Sequence, residues 1–193
     1  MKKMPVVLDL ETKYRFDEVD DKRKLGVSVV GLYDYQTQVS KAYEEPEFPA
    51  LFKILEHCSY IIGFNNDGFD IPVLAPYYPG DLSRFPSLDL LSEIKRKIGR
   101  RLSLNDVARV TLGKQKSGHG LQAIDFWREG KMEELKRYCL DDVMLTKELF
   151  EYGAEHGEIF YLNEVGKISI KVDWKKYLDA APADHDPHLT LPF

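Results

Sequence analysis

The sequence predicts an α/β domain in which a central mixed β-sheet is flanked by helices. Three strand-like segments come first, a helix and a short apolar strand follow, and the rest of the chain is mostly helical. This order is typical of an α/β layout with both antiparallel and parallel strands. A chain of 193 residues is compatible with one domain and a sizeable core. We expect a single domain over residues 1–178 and a loosely held tail over residues 179–193.

Composition narrows the class of protein. The formal net charge of −5 argues against a broad cationic surface that binds nucleic acid without specificity. No apolar stretch approaches the length of a membrane span, so no membrane partner is expected. Two cysteines form no disulfide framework. We therefore expect a cytoplasmic protein in a reduced compartment.

The N-terminal strands are indicated by apolar and β-branched runs. Val6–Thr12 is the first, Gly26–Tyr33 the second and Gln38–Tyr43 the third. The polar stretch Asp34–Thr37 between the last two suits a hairpin turn. We expect the three segments to be neighbouring antiparallel strands.

A buried strand is predicted in the next part of the chain. Apolar positions from Phe48 to Leu55 recur at helical spacing and predict a short amphipathic helix. Ser59–Phe64 is a continuous apolar run, which is typical of a buried strand in a parallel sheet. Asn65–Gly68 has turn chemistry, and a helix opens at Phe69–Leu74. Ligand-binding residues are expected at the carboxyl end of such a strand.

The second half of the sequence predicts mainly helices. Ser103 is a suitable N-cap for one of them. The predicted elements are a short strand at Ser87–Leu91, helices at Ser92–Ile98, Ser103–Leu112, Leu121–Arg128 and Lys131–His156, and strands at Ile159–Leu162 and Lys167–Val172.

Two carboxylates stand out on the first strand. Asp9 and Glu11 are two positions apart, so they project from the same face, while Leu8 and Leu10 point into a core. Two like charges on an apolar strand are costly unless a cation or a proton compensates them. Carboxylate oxygens are the ligands that Mg²⁺ and Mn²⁺ prefer. The alternative is a strand end at which both carboxylates reach water.

Further acidic residues could join this pair. Asp70 follows the apolar strand and lies near a helix N-terminus, where it could equally belong to a capping cluster. On the long helix, Tyr138 and Asp142 are four residues apart and share one face. A tyrosine hydroxyl beside an inward carboxylate can hydrogen-bond a metal-held water. The alternative is a half-buried tyrosine beside a solvated pair of aspartates.

Together these signals resemble the DEDD superfamily of 3′–5′ exonucleases, over about residues 5–155. The motifs are Asp9-x-Glu11, Asn66-x-x-Phe69-Asp70 and Tyr138-x-x-x-Asp142, in that order. The family's His branch places a histidine five residues before the last aspartate, where this chain has Arg137. The sequence therefore resembles the Tyr branch, and the resemblance implies a ribonuclease H-like fold.

The resemblance also implies a mechanism. Four carboxylates, from Asp9, Glu11, Asp70 and Asp142, would hold two divalent ions, Mg²⁺ or Mn²⁺, with Asp9 as the bridging ligand. Tyr138 would orient the attacking water. The substrate would be single-stranded DNA or RNA with a free 3′ end, and the product a nucleoside 5′-monophosphate. Helicase-associated members imply a helicase or polymerase as a possible partner.

Substrate contacts are predicted less directly. The motif positions Leu10, Thr12, Asn66 and Phe69 match family positions near the terminal nucleotide, although Leu10 and Phe69 also suit a packing role. A basic loop from Lys114 to Gly120 could close over the substrate. The basic cluster between Lys95 and Arg101 either tracks a phosphate backbone or is a solvated helix face.

Two other hypotheses remain open from the sequence. One is a catalytically silent nucleic-acid-binding module of the same fold. The other is an endonuclease of the ribonuclease H type, which would lack the motif that carries Tyr138. The intact acidic set and Tyr138 favour the exonuclease.

Overall fold

A five-stranded mixed sheet is the centre of the fold in this computed structural model, which describes residues 2–115, 118 and 120–179. The tail from residue 180 onward, and Lys116 and His119 of the predicted basic loop, lie outside the described residues. The strand order is β3-β2-β1-β4-β5. The strands are β1 Val6–Thr12, β2 Val27–Asp34, β3 Val39–Tyr43, β4 Ile61–Gly63 and β5 Ser87–Asp89.

β1 lies in the middle of this sheet. It pairs antiparallel with β2 and parallel with β4, and β4 pairs parallel with β5. β2 and β3 form the predicted antiparallel pair. The prediction of three antiparallel N-terminal strands followed by parallel strands is confirmed.

Helices cover both faces of the sheet. Their bounds are α1 Phe48–His57, α2 Asp70–Leu74, α3 Leu90–Ile98, α4 Leu104–Leu112, α5 Gly120–Arg128, α6 Met132–His156 and α7 Lys176–Asp179. Single 3₁₀ turns occur at Lys22–Lys24, Glu45–Glu47, Ala75–Tyr77 and Leu82–Arg84. Within the described residues, no helix combines the length and the apolar character that a membrane span requires.

The boundary between β5 and α3 differs from the sequence-based prediction, and other elements differ from it by one or two residues at their ends. The strand predicted at Ser87–Leu91 ends at Asp89, and the helix predicted from Ser92 begins at Leu90. The reason is that the Asp89 carboxylate caps this helix by accepting the backbone N–H groups of its first turn. The short helix α7 was not predicted.

The alternation of side chains along β1 divides the core into two layers. Val6, Leu8 and Leu10 are buried in the cluster that α1 covers. Val7 lies in the opposite cluster, which is built largely from α4 and α6. Asp9 and Glu11 are on this second face by the same alternation. The acidic residues of β1 therefore face the helix that carries Asp142.

A glycine lets α6 come close to the sheet. Gly31 in β2 is the register partner of Asp9 in β1. A Cβ atom at Gly31 would lie 2.8 Å from Val143 Cγ2 and 2.9 Å from Cys139 Sγ. No side chain larger than hydrogen fits between β2 and α6 at this point. The close approach brings the Asp142 turn of α6 next to the acidic face of β1.

A second, two-stranded sheet follows α6. It consists of β6 (Glu158–Asn163) and β7 (Gly166–Lys171), paired antiparallel as a hairpin. Ile159, Tyr161 and Ile170 are buried against the α4–α6 side of the core. The hairpin is thereby a fixed part of the fold.

Candidate active site

Three carboxylates from two elements converge on one point. Asp9 and Glu11 on β1 and Asp142 on α6 have carboxylate oxygens that all lie within 4.8 Å of one another. Asp142 is buried, and the two β1 residues are half-buried. Strand alternation places the β1 pair on one face, and the packing of α6 at Gly31 supplies the third carboxylate. The structure thus brings together residues that are far apart in the sequence.

Asp70 is linked to the strand that carries Asp9 and Glu11 by a hydrogen bond to its backbone. Its Oδ1 accepts a hydrogen bond from the Leu10 backbone N–H at 3.0 Å, and its side chain is buried. Leu10 is the residue between Asp9 and Glu11. β4 pairs with β1 only at Val6 and Val7, so the Asp70 carboxylate takes up an N–H beyond the end of β4. This bond fixes the first turn of α2 to the acidic strand.

The donor set fits a hard divalent cation. Carboxylate oxygens are the preferred ligands of Mg²⁺ and Mn²⁺, and three of them converge here from partly buried positions. Three like charges so close together are mutually repulsive, and a cation would relieve this repulsion. Asp9, Glu11 and Asp142 are therefore the residues that would hold a metal ion.

Tyr138 lies one turn before Asp142 on α6 and is 4% exposed. Its hydroxyl oxygen is buried and has no hydrogen-bond partner among the described residues. Burial raises the pKa of the phenol above its ordinary value of 10.0, and the carboxylates of Asp142 and Glu11 raise this pKa further. The hydroxyl is therefore a protonated hydrogen-bond donor at neutral pH, not a base.

Asn66 is buried below the site. Its Nδ2 donates to the Ile61 carbonyl at 3.3 Å, and its side chain is 0% exposed. A Cβ atom at Gly63 would lie 2.7 Å from the Asn66 Cβ, so the glycine makes room for this packing. Asn66 links the turn after β4 to β4 itself. A direct contact with substrate would require the side chain to leave this position.

Of the other predicted contact residues, Leu10 and Thr12 lie in β1, and Phe69 directly precedes α2. Leu10 is a core residue, and the buried Thr12 donates its hydroxyl to the Tyr14 carbonyl at 2.9 Å. Phe69 is half-buried, and its ring centroid lies 5.5 Å from that of Phe16. Phe16 is 69% exposed and was not singled out in the sequence, because nothing in its spacing distinguishes it.

Lys114 is placed away from the carboxylate group. Its Nζ pairs with the Glu148 carboxylate on α6 at 2.6 Å. The predicted basic loop contains Gly118, where a Cβ atom would lie 3.2 Å from Tyr138 Cε2. Gly118 therefore lies next to Tyr138.

Sequence reasoning missed Asp89, the last residue of β5. Its Oδ1 accepts backbone N–H groups from Leu91 and Ser92 in α3, and from Asn65 at 2.8 Å in the turn before Asn66. The side chain is 5% exposed. The signal that could have revealed it is an aspartate directly before an apolar helical segment, which is typical of an N-cap. Asp89 thus joins β5, α3 and the turn that leads to Asp70.

We expect Asp89→Ala to lower the free energy of unfolding by about 1 to 2 kcal/mol, because α3 loses its cap. The half-buried N–H of Asn65 also loses its acceptor, so the turn before Asp70 should loosen. Asp89→Asn is the matched control, since an asparagine oxygen can accept the same bonds. Urea unfolding of both variants measures the difference, and equal stability of the two would contradict this role.

Solved structures share the fold. A family B DNA polymerase from the archaeon Pyrobaculum calidifontis is similar with a TM-score of 0.57 and 19% identity, over 77% of this chain and 24% of the polymerase. Trypanosoma brucei RNase D is similar with a TM-score of 0.56 and 17% identity, over 78% of this chain and 57% of that protein. The same RNase D in complex with RNA U12 matches with a TM-score of 0.56 and 18% identity, over 78% of this chain and 55% of that protein.

The chain therefore spans about a quarter of the polymerase and little more than half of RNase D. No curated protein matches it. The sequence itself matches the family model described as the RNase_H superfamily over residues 6–153, which includes every residue of the acidic group. The ribonuclease H-like fold predicted from the sequence is confirmed. By this match the chain belongs to the RNase_H superfamily.

Proposed function

We propose that the protein is a metal-dependent 3′–5′ exonuclease of the DEDD superfamily, Tyr branch. It would remove nucleoside 5′-monophosphates from the 3′ end of single-stranded DNA or RNA. The observation that carries the proposal is the convergence of the Asp9, Glu11 and Asp142 carboxylates, with Asp70 bound to the backbone between the first two. Membership of the RNase_H superfamily supports a nuclease in general.

The proposal divides the four carboxylates between two divalent ions. Asp9, Glu11 and Asp142 would hold one divalent ion, and Asp9 with Asp70 would hold a second. Mg²⁺ or Mn²⁺ bound there supplies an activated water and neutralises charge on the phosphate. In the hydrolysis that this site would support, the water oxygen would bond to phosphorus and the bond from phosphorus to the 3′ oxygen of the preceding nucleotide would break. The water would lose one proton to solvent, and the 3′ oxygen would take up one proton from solvent. Asp70 also keeps β1 and the α2 turn in register through the Leu10 N–H.

Tyr138 would hold the attacking water. Its protonated hydroxyl can donate to the water or to a phosphate oxygen while Asp142, one turn later, faces the same site. A buried hydroxyl without a partner among the described residues is suited to a hydrogen bond that forms only with substrate present. Orientation of the water, rather than proton abstraction, is therefore the role that fits the raised pKa of Tyr138.

Tyr138→Phe tests this role. We expect kcat to fall about ten- to a hundredfold, because the water loses a positioned donor. The melting temperature should stay within a degree or two, since the hydroxyl has no hydrogen bond to lose within the part of the chain that the structure describes. The pH profile below about pH 10 should keep its shape, because the phenol remains protonated there. A shift of the profile in the variant would contradict an orienting role and indicate a base.

The proposal also includes the candidate substrates, the kind of protein partner, the extent of the catalytic unit and the site of action. The similar structures include a DNA polymerase and an RNase D in complex with RNA, so both nucleic acids are candidate substrates. A helicase or a polymerase is the proposed kind of protein partner. We place the catalytic unit in residues 1–178 and treat residues 179–193 as an appended tail. The proposed site of action is the cytoplasm.

Product analysis decides among the hypotheses. Single strands of DNA and of RNA, labelled at the 5′ end, are incubated with the protein and Mg²⁺, and products are resolved by length. A ladder that shortens one nucleotide at a time, with release of mononucleotides, supports the exonuclease. Release of labelled oligonucleotides at internal positions indicates an endonuclease, and no digestion indicates a silent binding module. Asp9→Ala is the control, and equal activity in it would overturn the mechanism.

A further inference from the structure

The turn between α3 and α4 presents two arginines that are each fixed by a different part of the fold. Arg100 and Arg101 follow Gly99, whose φ of 75° ends α3 in the left-handed region. Both arginines are exposed. Two adjacent cations held in place at the surface form a charged corner, which we call the arginine corner.

Arg101 is anchored at the candidate active site. Its Nη2 donates to Asn65 Oδ1 at 3.0 Å. Asn65 immediately precedes Asn66, and its φ of 76° is uncommon for a residue other than glycine. The Asp89 carboxylate holds the same residue through its backbone N–H. The guanidinium is thus tied to the turn that leads to Asp70.

Arg100 is anchored on the C-terminal hairpin. Its guanidinium carbon lies 5.0 Å from the centroid of the Tyr161 ring in β6. Tyr161 is 8% exposed, so the ring is a fixed support rather than a mobile partner. Stacking on an aromatic face leaves the edge of a guanidinium available to accept an anion. The hairpin lies beyond residues 6–153, so the family match does not account for this support.

The charge of the corner is not cancelled by its neighbours. On α3, Arg96 is paired with Glu93 at 2.6 Å. Among the described residues, Arg100 and Arg101 form no ion pair. Asp106, the next acidic residue in the sequence after the corner, accepts a hydrogen bond from the Ser103 hydroxyl at 2.7 Å. The corner therefore adds local positive charge at the turn that leads to Asp70.

We propose that the arginine corner binds the phosphate backbone of a single-stranded nucleic acid upstream of the nucleotide being removed. This inference rests on the proposed function and adds a second contact region to it. A chain with a net charge of −5 and a cluster of carboxylates repels a polyanion unless cations lie next to the entrance. Two guanidiniums held by Asn65 and Tyr161 pay little conformational entropy when they bind phosphate.

The test separates binding from hydrolysis. Fluorescence anisotropy measures the affinity for a labelled single strand of about twelve nucleotides. The solution contains EDTA, so that hydrolysis and metal-dependent contacts are absent. The variants are Arg100→Gln, Arg101→Gln and the double variant. Arg84→Gln is the control for the single variants, because it removes the same single charge from an exposed arginine. Arg84 precedes β5, whereas the corner follows α3.

We expect the affinity of the double variant to fall about tenfold at low salt. The slope of log affinity against log salt concentration should become shallower by the equivalent of about one phosphate contact or more. Arg84→Gln should bind as the wild type does. Turnover of a dinucleotide is measured as well in Arg101→Gln, because Arg101 also contacts Asn65 in the turn that leads to Asp70. If Arg101 only positions Asn65, Arg101→Gln will slow dinucleotide turnover without changing the affinity for the longer strand, and the proposal fails for that residue.

The outcomes distinguish this proposal from the proposed function. A wild-type protein that binds the strand through the corner but hydrolyses nothing would refute the exonuclease and support the surface. A wild-type protein that hydrolyses the strand while the double variant binds it normally would refute the surface alone. An equal loss in Arg84→Gln would also overturn the proposal, because it would show an effect of net charge.

Discussion

Asn in place of Asp9 or Asp142 is expected to lower hydrolysis by about a hundred- to a thousandfold while making the metal-free protein more stable. The activity is lost because each substitution removes a ligand of the proposed metal centre, where charge on the reacting phosphate is neutralised. The stability is gained because the carboxylate oxygens of the group lie within 4.8 Å of one another. Removing one of three like charges reduces their repulsion.

The two effects are measured on the same proteins. Melting temperatures are recorded with EDTA and with Mg²⁺ or Mn²⁺, and kcat is measured on a labelled single strand. The wild type should gain stability from the metal, and the variants should gain much less, because binding to the folded state alone shifts the transition. Asp141→Asn is the matched control, since this neighbouring residue is exposed on α6. Full activity in Asp142→Asn would contradict the assignment of the metal ligands.

A methyl group at Gly31 is expected to cost about 1 to 3 kcal/mol of stability and to lower activity about ten- to a hundredfold. The new Cβ would meet Val143 Cγ2 and Cys139 Sγ at distances below 3 Å. Relief of this overlap requires α6 to move away from β2, and Asp142 and Tyr138 move with the helix. Urea unfolding and kcat of Gly31→Ala measure the two consequences.

A control variant separates the effect of moving α6 in Gly31→Ala from the effect of a lower stability of the fold. Leu82→Ala removes a fully buried side chain from the cluster on the other face of the sheet, away from α6. It should cost about 2 to 5 kcal/mol. Its folded fraction should nevertheless hydrolyse substrate at a rate near that of the wild type. If Gly31→Ala is as active as Leu82→Ala under conditions that keep both folded, the packing at Gly31 does not position the site.

Periodicity was sufficient to predict which residues share a face. The two-residue spacing of Asp9 and Glu11 and the four-residue spacing of Tyr138 and Asp142 follow from strand and helix geometry alone. Parallel strands in the sheet were predictable because the apolar run before Asn65 is short and continuous, which is typical of a buried strand in a parallel sheet.

Convergence between elements was not predictable from these patterns. The positions of Gly31 and Cys139 in the sequence do not indicate that the glycine makes room for the cysteine side chain. Asp89 was overlooked because its partners lie in α3 and in the turn after β4, and because the strand pattern that it ends hides its role as the cap of α3. Arg101 was predicted only as part of a basic run, since its bond to Asn65 depends on how α3 packs. Local rules describe each element, whereas the site depends on contacts between distant ones.

The division of the acidic group between β1 and α6 has a consequence for the newly made chain. Asp9 and Glu11 leave the ribosome early, whereas Asp142 follows more than a hundred residues later. A nascent chain therefore holds only part of the group until α6 has emerged and packed on β2 at Gly31. Because chains fold as they are synthesised, N-terminal parts first, the complete group of three carboxylates forms late in folding.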